Sequence, residues 1–69
     1  MNNLIKKSFS LAGHKTSIAL ENEFWEILYK IAQNNNMTMP NLIAKIDNER
    51  GLRPLASALR VFALRSAHE

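Results

Sequence analysis

Between Leu20 and Glu21 the hydrophobic period of this chain changes from two to about 3.6, with no linker between the two patterns. Upstream, Lys15-Thr16-Ser17-Ile18-Ala19-Leu20 alternates, with Thr16, Ile18 and Leu20 on one side and Lys15, Ser17 and Ala19 on the other. That is the pattern of a half-buried strand. Lys6-Lys7-Ser8-Phe9-Ser10-Leu11 alternates too, and Ala12-Gly13-His14 between the runs contains a glycine suited to positive φ. Residues 1–14 are therefore a basic N-terminal arm or the first strand of a hairpin, and residues 15–20 a ribbon strand. One strand or one hairpin is an incomplete sheet, marginal in water. Antiparallel pairing of the strand with its copy in a second chain covers the open edge. The resulting intersubunit sheet carries Lys15, Ser17 and Ala19 twice on its outer face.

Downstream, residues 21–34 read as a helix in which Phe24, Ile27, Leu28 and Ile31 follow helical spacing, widened by Trp25 and Ala32. At 100° per residue these positions cover an arc of about 160°, broader than the ~100° of an ordinary surface helix. Glu21 and Glu23 suit the positive end of the helix dipole. Asn34-Asn35-Asn36 ends the helix, since asparagine tolerates the left-handed conformation of a C-terminal cap. Thr38 reads as the N-cap of a second helix, 38–50, with Pro40 in its first turn and a stripe of Met39, Leu42, Ile43 and Ile46; Gly51 ends it. A third helix, 54–66, starts at Pro54 and is apolar on more than one side, with Leu55, Leu59 and Phe62 on one face and Val61 and Leu64 on another. The fold class is mainly α with a short β-ribbon.

Size and charge narrow the function. Sixty-nine residues make one domain, 1–69. A core this small seldom supplies more than about 3–5 kcal/mol without a disulfide, a metal or a partner subunit. There is no cysteine, and His14 and His68 lie far apart in sequence, so neither disulfides nor a metal site is expected and a homodimer is. No cofactor is implied. The net charge is +3, and Lys6, Lys7 and Lys15 account for all of it, because residues 21–69 balance. Excess positive charge confined to one end points to a polyanion, nucleic acid before membrane. No apolar run is long enough to span a bilayer, and Ser8, Ser10 and Gly13 interrupt what would be a signal-peptide core, so the expected address is the cytoplasm. No glycine-rich phosphate loop, nucleophile motif or metal spacing is present, and an enzyme is not expected.

From Lys15 to about Gly51 the chain resembles ribbon-helix-helix DNA-binding proteins of the MetJ/Arc type. The likeness rests on the Lys-Thr-Ser-Ile-Ala-Leu strand entering the first helix directly, and on the turn Asn36-Met37-Thr38-Met39-Pro40-Asn41-Leu42-Ile43. More narrowly, Ala12 to Ile18 followed by Phe24-Trp25, with a C-terminal Leu-Ala-Ser-Ala-Leu-Arg-Val-Phe helix, is similar to a short bacterial subfamily with an extra N-terminal segment. The resemblance implies an intertwined homodimer, ribbon-helix-helix plus a third helix, whose ribbon enters the DNA major groove. Lys15, Ser17 and Ala19 map onto its base-facing positions. Thr38 and Met39, through their backbone N–H groups, map onto its phosphate clamp. Ala19 departs from the long polar residue common at that position, and Asn36 stands where glycine is favoured.

Lys6, Lys7 and His14 are further candidates for phosphate contact. Ile18, Leu20, Phe24, Trp25, Leu28, Ile31, Leu42, Ile43 and Ile46 are the expected dimer core, with Trp25 and Tyr29 read as packing residues in preference to base-stacking ones. The function that follows is sequence-specific binding of double-stranded DNA as a bacterial transcriptional repressor. The rival reading is a small protein-interaction module, antitoxin- or adaptor-like, that docks a partner through Val61 and Leu64 on the third helix.

Overall fold

The computed structural model describes residues 3–67, so His68 lies outside the described residues. Two antiparallel strands, β1 (Leu4–Leu11) and β2 (His14–Glu21), lead into α1 (Asn22–Asn34), α2 (Met39–Glu49) and α3 (Leu55–Ala67). The N-terminal segment is therefore a strand. Its register pairs Leu11 with His14, Ser8 with Ser17 and Leu4 with Glu21, leaving a connection of only Ala12 and Gly13. Both have positive φ, 51° and 82°, as a two-residue type I′ turn requires, one of the two primed turns whose twist matches that of the flanking strands. Glycine adopts this conformation freely, whereas alanine is strained there by about 1–2 kcal/mol. Replacing Ala12 by Asn, which tolerates left-handed φ, should stabilise the domain by about 0.5–1 kcal/mol and raise its melting temperature by several degrees. Thermal unfolding followed by circular dichroism measures this, and an unchanged melting temperature would show that the turn carries no such strain.

The antiparallel partner expected from a second chain is thus supplied, on one edge of β2, by the chain itself. A hairpin alone is marginal, and this one is held by packing. Leu11, Ile18 and Leu20 are buried against the helices, with Phe9 half-buried beside them. From α1, Trp25 is 1% exposed and donates its indole N–H to the Ile5 carbonyl at 2.8 Å, so a core side chain caps the strand it packs on. Its ring lies 5.8 Å from that of Phe9.

The helix ends follow their sequence signals. The amide of Asn36 donates to Gln33 and that of Met37 to Ala32, at 3.2 and 2.8 Å, around Asn36 at φ 54°. This is a Schellman cap with asparagine where glycine is commoner. Thr38 caps α2, its hydroxyl accepting the Asn41 amide at 3.2 Å. Gly51, at φ 62°, follows the end of α2. Pro54 stands one position before the first helical turn, not within it. Its carbonyl accepts the Ala58 amide at 2.9 Å, so it caps α3 from outside.

The residues expected to form the dimer core already pack within the single chain. Ile18, Leu20, Trp25, Leu28, Leu42, Ile43 and Ile46 are buried within one chain, and Phe24 and Ile31 are half-buried against that core. The reason is α3, which packs on α1, α2 and β2 and adds buried Ala58, Leu59 and Ala63. The broad apolar surface of α3 is covered largely by its own chain: Val61 is half-buried, and Leu64 is the exposed remainder at 51%.

Candidate nucleic-acid interface

Strand alternation sends successive side chains to opposite faces, and the burial of β2 shows which face is which. Ile18 and Leu20 point into the core, whereas Lys15 and Ser17 are exposed and Ala19 is half-buried on the outer face. The register sets Ser10 opposite Lys15, Ser8 opposite Ser17 and Lys6 opposite Ala19. The outer face therefore has two rows of side chains, Lys15-Ser17-Ala19 on β2 and Ser10-Ser8-Lys6 on β1. The Ser8 and Ser17 hydroxyls lie 3.0 Å apart in a cross-strand hydrogen bond. Sequence reasoning named Lys6 but missed Ser8 and Ser10, although the period-two run Lys6 to Leu11 places them on the same side as Lys6.

The two adjacent lysines part company. Lys6 is exposed on the outer face, whereas Lys7 turns inward and is half-buried. Its ammonium sits 5.8 Å from the Trp25 ring centroid and 5.3 Å from that of Tyr29, a cation–π arrangement on α1. Tyr29 is 43% exposed beneath it. His14 is exposed at the turn. Among the described residues no group of three or more metal-ligating side chains is placed to hold an ion.

At the start of α2 four backbone N–H groups would ordinarily lack partners. Pro40 has none, and Asn41's is taken by the Thr38 hydroxyl. Thr38 and Met39 carry the remaining two N–H groups, at the positive end of the helix dipole. Met39 is buried and Thr38 exposed, so an anion reaching this point meets backbone and hydroxyl, not an aliphatic chain.

Glu21 closes the outer face of β2 and is the one acid on it. Its carboxylate accepts from Arg60 Nε of α3 at 3.0 Å, and the Arg60 guanidinium also lies 5.8 Å from the Phe24 ring. The backbone amide of Glu21 itself, and then Arg60, hold the carboxyl below the ordinary glutamate value of 4.5. A depressed carboxyl stabilises the fold above its unfolded pKa, and that contribution disappears as pH falls through the folded one. Glu21→Gln should therefore be less stable than the native chain at neutral pH, with the difference closing as pH falls below the ordinary glutamate value of 4.5. Urea unfolding at a series of pH values checks it, and a gap independent of pH would remove the ion pair as its cause.

A groove of about 300 Å³ lies between the end of α2 and α3, with Ile46, Ala58, Val61 and Phe62 as its apolar part and Arg50, Arg53 and Arg65 among its polar lining. Arg50 is engaged by Asp47 at 2.6 Å and by the Arg53 carbonyl.

No curated protein and no solved structure matches the chain significantly. One family does match, the ribbon-helix-helix domain, over residues 4–67, which takes in both strands and all three helices. Ribbon-helix-helix domains are, as a family, DNA-binding regulatory modules. The match spans the period-two strand that feeds directly into two capped helices, and the chain belongs to the ribbon-helix-helix family.

Proposed function

We propose that the protein is a homodimeric, sequence-specific double-stranded-DNA-binding protein, a bacterial cytoplasmic repressor that occludes its site by inserting its β-ribbon into the major groove. The observation that carries this reading is the outer face of the hairpin. It presents Lys6, Lys15 and three serine hydroxyls, and its single acid, Glu21, is neutralised by Arg60. Among the described residues the second edge of β2 carries no strand, which supports pairing with the same edge of another copy about a two-fold axis. Lys15 then donates to guanine O6 or N7, Ser17 donates or accepts, and the Ala19 methyl meets a thymine methyl. Thr38 and Met39 hold a phosphate through their backbone, and Lys6 and His14 add phosphate contacts. Lys7 serves the hairpin's packing on Trp25 and Tyr29. No helix is long and apolar enough to cross a membrane among the described residues.

The test is fluorescence anisotropy with a labelled duplex from upstream of the protein's own coding sequence and a scrambled duplex of equal length, across a salt series. Specific readout predicts binding to the native duplex tighter by ~10³-fold or more at physiological salt. Equal, weak binding that vanishes with salt would reduce the protein to a non-specific binder. A second reading, a protein-docking surface at α3, is favoured by Leu64 at 51% and, in the loop before the helix, Leu52 at full exposure, while Val61 is half-buried. It gains if those leucines stay solvent-accessible in the purified oligomer, and fails if a second copy covers them.

A further inference from the structure

The hairpin poses a problem of width. If two copies pair through β2, as the DNA-binding reading requires, the sheet runs β1-β2-β2-β1 and has four strands. At about 4.8 Å between neighbours the outer strands lie about 14 Å apart, while the major groove is about 12 Å wide. Two central strands fit between the groove walls; all four do not. Either β1 leaves the sheet when DNA binds, or it stays and rides over the walls.

The contacts of β1 decide between these. Its Ile5 carbonyl accepts the buried Trp25 indole N–H at 2.8 Å, its Leu11 is 7% exposed in the core, and its Phe9 ring sits 5.8 Å from Trp25. Releasing β1 would strip cover from the core and open every cross-strand hydrogen bond of the hairpin. A basic arm free to wrap DNA is thus not what this chain has; its N-terminal segment is anchored to the body. On the outer face the same strand offers Lys6, Ser8 and Ser10, short or cationic polar groups without an acid, and ends in exposed Leu4 opposite Glu21.

We infer that β1 remains in the sheet on DNA and that its outer row, Lys6, Ser8 and Ser10, grips the two phosphate rails that border the groove, while the β2 row alone reads bases. The inference rests on the DNA-binding reading and adds a division of labour to it. Phosphate contacts fix register and carry no sequence information, and hydroxyls and ammonium groups are the donors that phosphate oxygens accept from. Ser8 has a second task. Its hydroxyl, 3.0 Å from that of Ser17, pins the orientation of the base-facing serine from the wall side of the sheet.

The test uses the full chain and a pool of random-sequence duplexes, from which bound DNA is selected and sequenced for the native protein, Lys6→Ala, Ser10→Ala and Lys15→Ala. Lys6→Ala should recover the same motif as the native chain. On that motif it should bind more weakly, and on scrambled DNA weaker by the same factor. Removing one lysine–phosphate pairing from each subunit of the dimer should lower the slope of log affinity against log salt by about 2. Ser10→Ala should likewise leave the motif intact. Lys15→Ala, by contrast, should relax the motif at one position in each half-site. Amide hydrogen exchange supplies an independent readout: β1 amides should be at least as protected in the complex as in free protein. A motif altered by Lys6→Ala or Ser10→Ala would overturn the inference by making β1 a base reader. An unchanged salt slope, or β1 amides that lose protection on DNA, would overturn it equally. If the native chain binds no duplex from the pool, the DNA-binding reading itself fails, and the division of labour with it.

Discussion

Trp25→Ala is expected to leave the chain largely unfolded at 25 °C. Trp25 is 1% exposed and ties α1, which carries it, to β1 at two points: the Phe9 ring 5.8 Å away and the Ile5 carbonyl that accepts its N–H at 2.8 Å. Truncating a buried tryptophan costs about 3–5 kcal/mol from lost transfer energy and the cavity left behind. The hydrogen bond adds on the order of 1 kcal/mol. A domain of this length has a total stability of only about 3–10 kcal/mol. Lys7 would also lose one of the two aromatic faces beneath its ammonium. Circular dichroism with urea titration measures the effect, at several protein concentrations because the proposed dimer would make apparent stability concentration-dependent. Trp25→Phe keeps a ring and deletes the N–H, so it should fold with a loss of about 1–2 kcal/mol. Should Trp25→Ala melt within a degree or two of the native chain, the hairpin is not held by this residue and the account of an anchored β1 falls.

Much of this architecture is legible in the residues because local chemistry and burial agree. The switch of period at Glu21, asparagine at the left-handed cap position 36, Thr38 before Pro40, and Gly51 after α2 each act within a few residues of themselves. The N-terminal run is ambiguous in sequence for a physical reason. Lys7 occupies an inward position of β1, and an alternation with lysine on its buried side looks like a loose basic arm until Trp25 and Tyr29 are found beneath it. Those rings lie far along the chain, as do Ile5 and Trp25 or Glu21 and Arg60, and no spacing rule reaches that distance.

The apolar core reads correctly as buried, yet its cover cannot be read from the sequence, for a related reason. A stripe of Leu28, Leu42, Ile43 and Ile46 states that something must cover it, and the pattern is the same whether the cover is another subunit or the chain's own α3. Here Ala58, Leu59 and Ala63 supply it. The consequence for the site is direct. In the proposed dimer, a chain that buries its own core has the β2 edge left as a seam for a second copy, while the outer face of the hairpin is already organised in the single chain.

That organisation makes Ser17→Glu the most damaging single change expected for DNA binding. Ser17 is exposed, and its partner Ser8 is exposed opposite it. Surface substitutions of this kind usually change stability by less than about 0.5 kcal/mol, beyond the modest cross-strand hydrogen bond that is lost. The fold and the two-fold seam should therefore survive. On DNA the situation reverses. A two-fold ribbon places two new carboxylates in the groove, each flanked by phosphates. A carboxylate cannot donate to the guanine and thymine acceptors a serine hydroxyl serves, and like-charge juxtaposition across an interface costs several kcal/mol. Affinity should fall by more than ~10³-fold, at low as well as physiological salt. Lys15→Ala, which only withdraws a donor, should lose about 1–3 kcal/mol of specific binding and keep the non-specific part. Anisotropy on the cognate duplex, with sedimentation velocity to confirm that the oligomer is unchanged, separates these outcomes. Because Ser17→Glu spares the body, the seam and α3, retained binding would mean that this face does not enter the groove. A dimer that binds no DNA would place the reading surface on the β2 row.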